Sequence, residues 1–141
     1  MTTVQHHMRG REDICSAAPT DTVYTAIETM TEKGVGALLV LEGARLVGVI
    51  SERDYMRKVI LRDRASKTTK VAEIMTSKVI SAEPGTSVQE CLALMTDKRI
   101  RHLPIMQNGE LLGLVSIGDL VRATIAEQKF VIDELHQYIR S

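Results

Sequence analysis

The chain has 141 residues, with 18 basic and 18 acidic side chains, a length that suits one globular domain and a balance that gives no net field toward nucleic acid or a membrane surface. Three Tyr, one Phe and no Trp argue against a base-stacking platform. No apolar run approaches the roughly 20 residues of a membrane span. An N-terminus without an apolar signal core makes the cytoplasm the expected location.

Residues 1–10, including His6 and His7, read as a loose leader. An extended lead-in over 14–18 stops at Pro19, which disfavours helix in the residue before it. Val23, Ala26, Ile27 and Met30 then follow the i, i+3, i+4, i+7 spacing of one helical face, predicting a helix over 23–33. Two strands over 37–41 and 46–50 turn around Glu42-Gly43, and a second helix starts at Ser51 and ends near Leu61. Residues 62–70 are a polar linker. The order then begins again: a lead-in over 79–83, Pro84, and a helix over 88–98 with Ser87 and Glu90 spaced as a capping box. Strands over 103–106 and 111–115 are joined through Asn108-Gly109, a strong hairpin signal. The last helix starts at Ser116, and no Gly or Pro interrupts it after Gly118. Its apolar stripe (Val121, Ile125, Ile132, Leu135, Ile139) overruns the repeat and predicts a covering partner subunit. Cys15 and Cys91 read as small apolar side chains.

The second round is a copy of the first. Gly48-Val49-Ile50-Ser51-Glu52-Arg53-Asp54 recurs from residue 113 as Gly-Leu-Val-Ser-Ile-Gly-Asp, an offset of 65 (48 to 113). Without a gap the same offset pairs Pro19 with Pro84, Met30 with Met95, Lys33 with Lys98 and Arg57 with Arg122. A unit of about 60 residues is marginal alone, so the copies are expected to form one intimate pair with a doubled site.

Each copy reads strand-helix-strand-strand-helix, with Gly-h-h-Ser-x-x-Asp (h apolar) where the last strand enters the last helix. This order and motif, present twice over about residues 12–127, resemble the cystathionine β-synthase (CBS) domain, whose tandem pairs are called Bateman modules. The resemblance implies an α+β fold of two βαββα repeats, related by pseudo-two-fold symmetry and packed through their sheets. The corresponding boundaries are a leader 1–10, repeats 11–66 and 67–127, and a helical extension 128–141.

Chemistry leads to a similar reading of the motif. Ser51 and Ser116 present hydroxyls beside unpaired amides at a helix start, where an anion is favoured. Asp54 and Asp119 lie in the same first turns, and a carboxylate there can accept both hydroxyls of a ribose. The alternative is a plain N-cap, worth about 1 kcal/mol with no ligand. Arg101 and His102 precede the strand of the second copy and suit phosphate. In the family, Arg53 resembles a common phosphate contact, and Ile14, Val35, Ala37 and Ile80 take positions against adenine; their alternative is ordinary core. The resemblance thus implies a regulatory module that binds an adenine nucleotide (AMP, ADP, ATP, NAD or S-adenosylmethionine) in clefts between the repeats, forms a homodimer and signals to a separate effector protein. The alternative is a ligand-free structural or dimerisation module. Gly-x-Ser-x-Gly, a P-loop, paired zinc spacings and Cys-x-x-Cys are all missing from the sequence, so no catalytic residue, catalytic cofactor or metal site is expected.

Overall fold

A computed structural model describes residues 2–10 and 13–140. In chain order the main elements are β1 (Arg9–Gly10), β2 (Ser16–Ala17), α1 (Val23–Lys33), β3 (Ala37–Glu42), β4 (Arg45–Ser51), α2 (Glu52–Tyr55), α3 (Val71–Ile74), α4 (Val88–Lys98), β5 (His102–Gln107), β6 (Glu110–Ser116) and α5 (Ile117–Arg140). They gather into two compact units with two three-stranded sheets, ordered β2-β3-β4 and β1-β6-β5. This is the expected α+β class, and both hairpins and both long helices fall where the sequence predicts them.

In the unit built on the first copy, Thr22 caps α1 by accepting the Thr25 N–H at 3.2 Å. Gly34, at φ 66, closes the helix through bonds to Met30 and Thr31 carbonyls, a left-handed position that costs glycine little. Val23, Ala26 and Met30 face a core shared with Leu38, Val40, Ile50 and Val59. β3 and β4 pair antiparallel from Ala37↔Ser51 to Glu42↔Arg45, with a register shift after Val40 that marks a β-bulge. α2 runs on into a π-helical turn, Met56–Ile60.

The other unit repeats this build. Ser87 accepts the Glu90 N–H at 3.1 Å, the hydroxyl half of the expected capping box. Val88, Cys91, Met95, Leu103, Ile105, Val115 and Leu120 are buried. Arg99 takes the left-handed position held by Gly34 in the first copy, with φ 57. The lead-in of this copy is not a strand: only Ala82 pairs, bridging Ile105. Its bonds run from Ala82 N–H to Pro104 O at 3.0 Å and from Met106 N–H to Ala82 O at 2.8 Å. The next rungs of a parallel ladder need N–H groups from Pro104 and Pro84, which have none. In the first copy the lead-in forms β2, which ends before Pro19.

The leader reading needs correction. Val4–His7 form a 3-10 turn with Val4 fully buried, and β1 pairs antiparallel with β6 through Arg9↔Leu114 and Gly10↔Gly113. Residues 69–76 do the same for the first copy. Val23 N–H donates to Thr69 O, Val71 N–H to Asp21 O and Ala72 N–H to Pro19 O; their counterparts are Val88 to Thr2, Val4 to Thr86 and Gln5 to Pro84. Thr22↔Lys70 and Val49↔Thr76 match Thr3↔Ser87 and Arg9↔Leu114. Each helical repeat is therefore completed by the segment that precedes the other one. α3, not anticipated from the sequence, is part of that segment, and buries Val71 and Ile74.

Candidate functional site

Both Ser-x-x-Asp motifs sit at strand-to-helix junctions. At the first, Asp54 N–H donates to Ser51 Oγ at 3.1 Å, and Ser51 N–H and Oγ each donate to Asp54 Oδ2 at 3.0 Å. This is a reciprocal capping box that fixes the carboxylate against the helix start. The second oxygen, Oδ1, faces side chains: Lys58 Nζ at 3.3 Å and the Thr76 hydroxyl at 3.4 Å. Lys58 also donates to the Ile74 carbonyl at 2.9 Å, which holds the ammonium in place.

At the second motif, Ser116 N–H donates to Asp119 Oδ2 at 3.1 Å and Asp119 N–H to Ser116 Oγ at 3.0 Å. Here Oδ1 accepts from Arg122 Nη2 at 2.6 Å, while Arg9 Nε lies 3.9 Å from Oδ2. Partial burial alone raises the Asp119 pKa; the Ser116 hydroxyl and N–H, then Arg122 and Arg9, outweigh it and hold the carboxyl below its ordinary range. The carboxylate is 16% exposed, whereas Arg9 and Arg122 are mostly exposed.

A backbone bond brings the residues before each hairpin to the helix start. Glu52 N–H donates to Gly36 O at 3.0 Å, and Ile117 N–H to Arg101 O at 2.8 Å. Ala37 also pairs with Ser51 in the sheet. The second site thus has the Arg101 backbone at the helix start and His102 within electrostatic reach of Asp119, where the first has Gly36 and Ala37. His102 keeps solvent access, yet partial burial of its ring, then Arg9, pushes its pKa down; Asp119 opposes them and Arg101 adds to them. Arg53 is exposed on α2. Val35 is half-buried against the core and donates its N–H to Met30 O at 3.0 Å. Ile14 and Ile80 are half-buried outside any strand.

Sequence reasoning missed Lys58, Thr76, Arg9 and Arg122 as neighbours of the carboxylates. Helical spacing alone could have found Lys58 and Arg122, at i+4 and i+3 from their aspartates. Arg9 and Thr76 carry a subtler signal: Thr2-x-Val4-x-x-x-Met8 matches Thr69-x-Val71-x-x-x-Met75 at an offset of 67 (2 to 69), so the two residues after the methionines are equivalent.

The model of the CBS domain family matches residues 10–61 and 71–126. The chain is 47% identical over 125 residues to the mitochondrial CBS domain-containing protein CBSX3 of Arabidopsis thaliana, covering 85% of this chain and 61% of the relative, less than two thirds of its length. A solved protein with CBS domains from Burkholderia ambifaria MC40-6 superposes with a TM-score of 0.78 at 51% identity, covering 90% of this chain and 96% of that one. CBSX2, solved in complex with AMP, superposes with a TM-score of 0.80 at 26% identity, covering 91% and 99%. With both repeats matched and the fold shared, this chain belongs to the CBS domain family and carries the domain twice.

Proposed function

We propose that the protein is a regulatory module that binds an adenine nucleotide, acts as a homodimer and signals to a separate effector protein. AMP leads the candidates because a relative of the same fold is solved with it; ADP, ATP, NAD and S-adenosylmethionine share the diol and remain arms of the test. One observation carries the reading. At the second motif a carboxylate fixed by its own cap meets Arg122 at 2.6 Å and Arg9 at 3.9 Å, with His102 nearby and the Arg101 carbonyl bonded to the helix start. A carboxylate can take a sugar diol and the surrounding cations a phosphate, which are the polar parts of a nucleotide. Ser51, Asp54, Ser116 and Asp119 are assigned to the ribose end, Arg53, Arg101 and His102 to phosphate, and Ile14, Val35, Ala37 and Ile80 to the base. Binding regulates only if the ligand favours one arrangement of the protein over another. The reading is of a binding protein, not of an enzyme.

Calorimetry with AMP, ADP, ATP, NAD and S-adenosylmethionine tests the proposal. Saturable binding of at least one is expected, and heat stability should rise by about 2.7 kcal/mol at a hundredfold excess over Kd. No binding by any of them at millimolar concentration overturns it.

That outcome would favour the second reading, a ligand-free dimerisation module. The observation behind it is that both carboxylates already have partners on both oxygens: backbone on one side, Lys58, Thr76 or Arg122 on the other. A ribose must displace those side chains.

Among the described residues no helix is long and apolar enough to cross a membrane. One relative is named mitochondrial, so the cytoplasm stands as a proposal that fractionation of cells carrying the tagged chain can test.

A further inference from the structure

Gly36 and Arg101 hold the same place in the two copies. Each carbonyl accepts the first N–H of the helix after its hairpin, from Glu52 at 3.0 Å and from Ile117 at 2.8 Å. The donating residues are equivalent in position and opposite in chemistry. Where the second copy has Ile117, the first has Glu52, whose carboxylate lies beside Gly36: Oε2 is 3.8 Å from the point where a Gly36 Cβ would stand. At one junction the chain thus sets arginine beside isoleucine, and at the other it sets a glycine without a side chain under a glutamate.

The charges around the two motifs differ accordingly. Asp119 has Arg122 and Arg9 as neighbours, and Arg9 and Arg101 both act on the charge of His102. Asp54 has Lys58, which the Ile74 carbonyl also holds. Arg53 is exposed and directly follows Glu52 in the chain. Among the described residues Glu52 has no ion-pair partner, so its charge is not answered by a close cation. A phosphate ester carries about two negative charges at neutral pH. It is repelled by a carboxylate at this distance, whereas an uncharged sugar and base are not.

We propose that Glu52 is a charge filter: a phosphate-bearing adenine nucleotide takes the second motif in preference to the first, and the first favours adenosyl compounds without a phosphate. The inference rests on the nucleotide reading above and divides its ligands between the two copies. Arg53, the cation assigned to phosphate at the first motif, works there against its own neighbour.

Calorimetry on the full chain with AMP and adenosine tests the proposal, with Asp119→Ala isolating the first motif. In that background Glu52→Gln should tighten AMP about fivefold or more, the effect of a unit charge about 4 Å away in water, and leave adenosine unchanged. The gain should fade in about 1 M salt, where charges are screened within about 3 Å. AMP affinity unmoved by Glu52→Gln overturns the proposal. Equal tightening of AMP and adenosine overturns it too, because that marks a change of shape and not of charge. If adenosine does not bind the Asp119→Ala chain at millimolar concentration, the first motif holds no adenosyl ligand; the proposal falls, and the nucleotide reading stands on the second motif. The nucleotide reading itself falls only if the unsubstituted chain binds none of AMP, ADP, ATP, NAD and S-adenosylmethionine.

Discussion

Arg9 Nε stands 3.9 Å from Asp119 Oδ2, a pairing between the strand that precedes the first repeat and the motif of the second. The equivalent neighbour of Asp54 is Thr76, whose hydroxyl donates at 3.4 Å. A cation in one place and a neutral hydroxyl in the other make the two motifs electrostatically unequal, beyond the contrast already present between Arg101-His102 and Gly36-Ala37. Arg9→Ala should weaken binding of a phosphate-bearing nucleotide at the second motif by about 1–3 kcal/mol, the range for a hydrogen bond to a charged group, and leave the first unchanged. Titration calorimetry in Asp54→Ala and Asp119→Ala backgrounds separates the two sites; equal losses at both would refute the assignment.

Asp119→Ala should act twice. The cap it completes is worth about 1 kcal/mol of stability, and loss of the diol partner should weaken nucleotide binding by a further 1–3 kcal/mol or so. Ser116→Ala removes the hydroxyl from the cap but keeps the carboxylate. It should lower the melting temperature while retaining more affinity than Asp119→Ala. If both variants lose stability and neither loses affinity, the motif is a cap and nothing more.

Val4 and Val71 are both fully buried and occupy equivalent positions. Val4→Ala and Val71→Ala should each cost about 1.5–3 kcal/mol, since a buried Val side chain contributes roughly that much. A free leader would make Val4→Ala silent in denaturant unfolding.

Gly113 and Gly48 lie under the two methionines. A Cβ on Gly113 would come 2.8 Å from Met8 Sδ and collide with the Arg9 carbonyl oxygen, whereas on Gly48 the nearest atoms are Met75 Sδ at 2.7 Å and Thr76 O at 3.0 Å. A methionine end can swing aside, but a carbonyl in a paired strand cannot. Gly113→Ala should therefore be the more destabilising of the two and exceed the usual 1–3 kcal/mol or so of overpacking. Thermal unfolding of both variants measures the difference.

Two groups in the second site titrate in separate windows. Because the folded protein holds the His102 pKa below its ordinary 6.5, the unfolded chain takes up the proton first as pH falls. Stability should thus be full above about pH 6.5 and decline below it, and His102→Gln should flatten that slope. Asp119 is also held below its ordinary 3.8; its contribution is present above that value and disappears as acid carries the pH through the lower, folded one. A melting-temperature profile against pH reads both. A profile unchanged by His102→Gln would remove the histidine from the account.

The helix limits at 23–33 and 88–98 were legible because a 3.6-residue apolar rhythm and a polar cap coincide at each. The hairpins were legible because a turn glycine separates two apolar runs. The lead-ins were harder to read: apolar residues predict extension, but whether a ladder forms depends on which partner can donate, and Pro104 withdraws a donor that Leu39 supplies. The Ser-x-x-Asp motifs were visible as caps and possible ligand groups alike, because the same atoms perform both tasks. Their cationic surroundings were visible only in part. Arg9 and Thr76 arrive through a segment whose own offset, 67 instead of 65, hides it from the main repeat. His7 lies with His6 in the stretch that the sequence reads as a loose leader. It occupies the position of buried Ile74, and its Nε2 is buried without a hydrogen-bond partner among the described residues.

Segment exchange also orders events during synthesis. The core of the first βαββα unit can close once residue 76 has been made, because its buried residues, from Ala17 to Ile74, then exist. The stretch around Val4 and Arg9 has no strand to join until Leu114 and its neighbours appear. That stretch, with its buried Val4, must therefore wait uncovered until the second hairpin has been made, and the unit it completes is the later of the two to become whole.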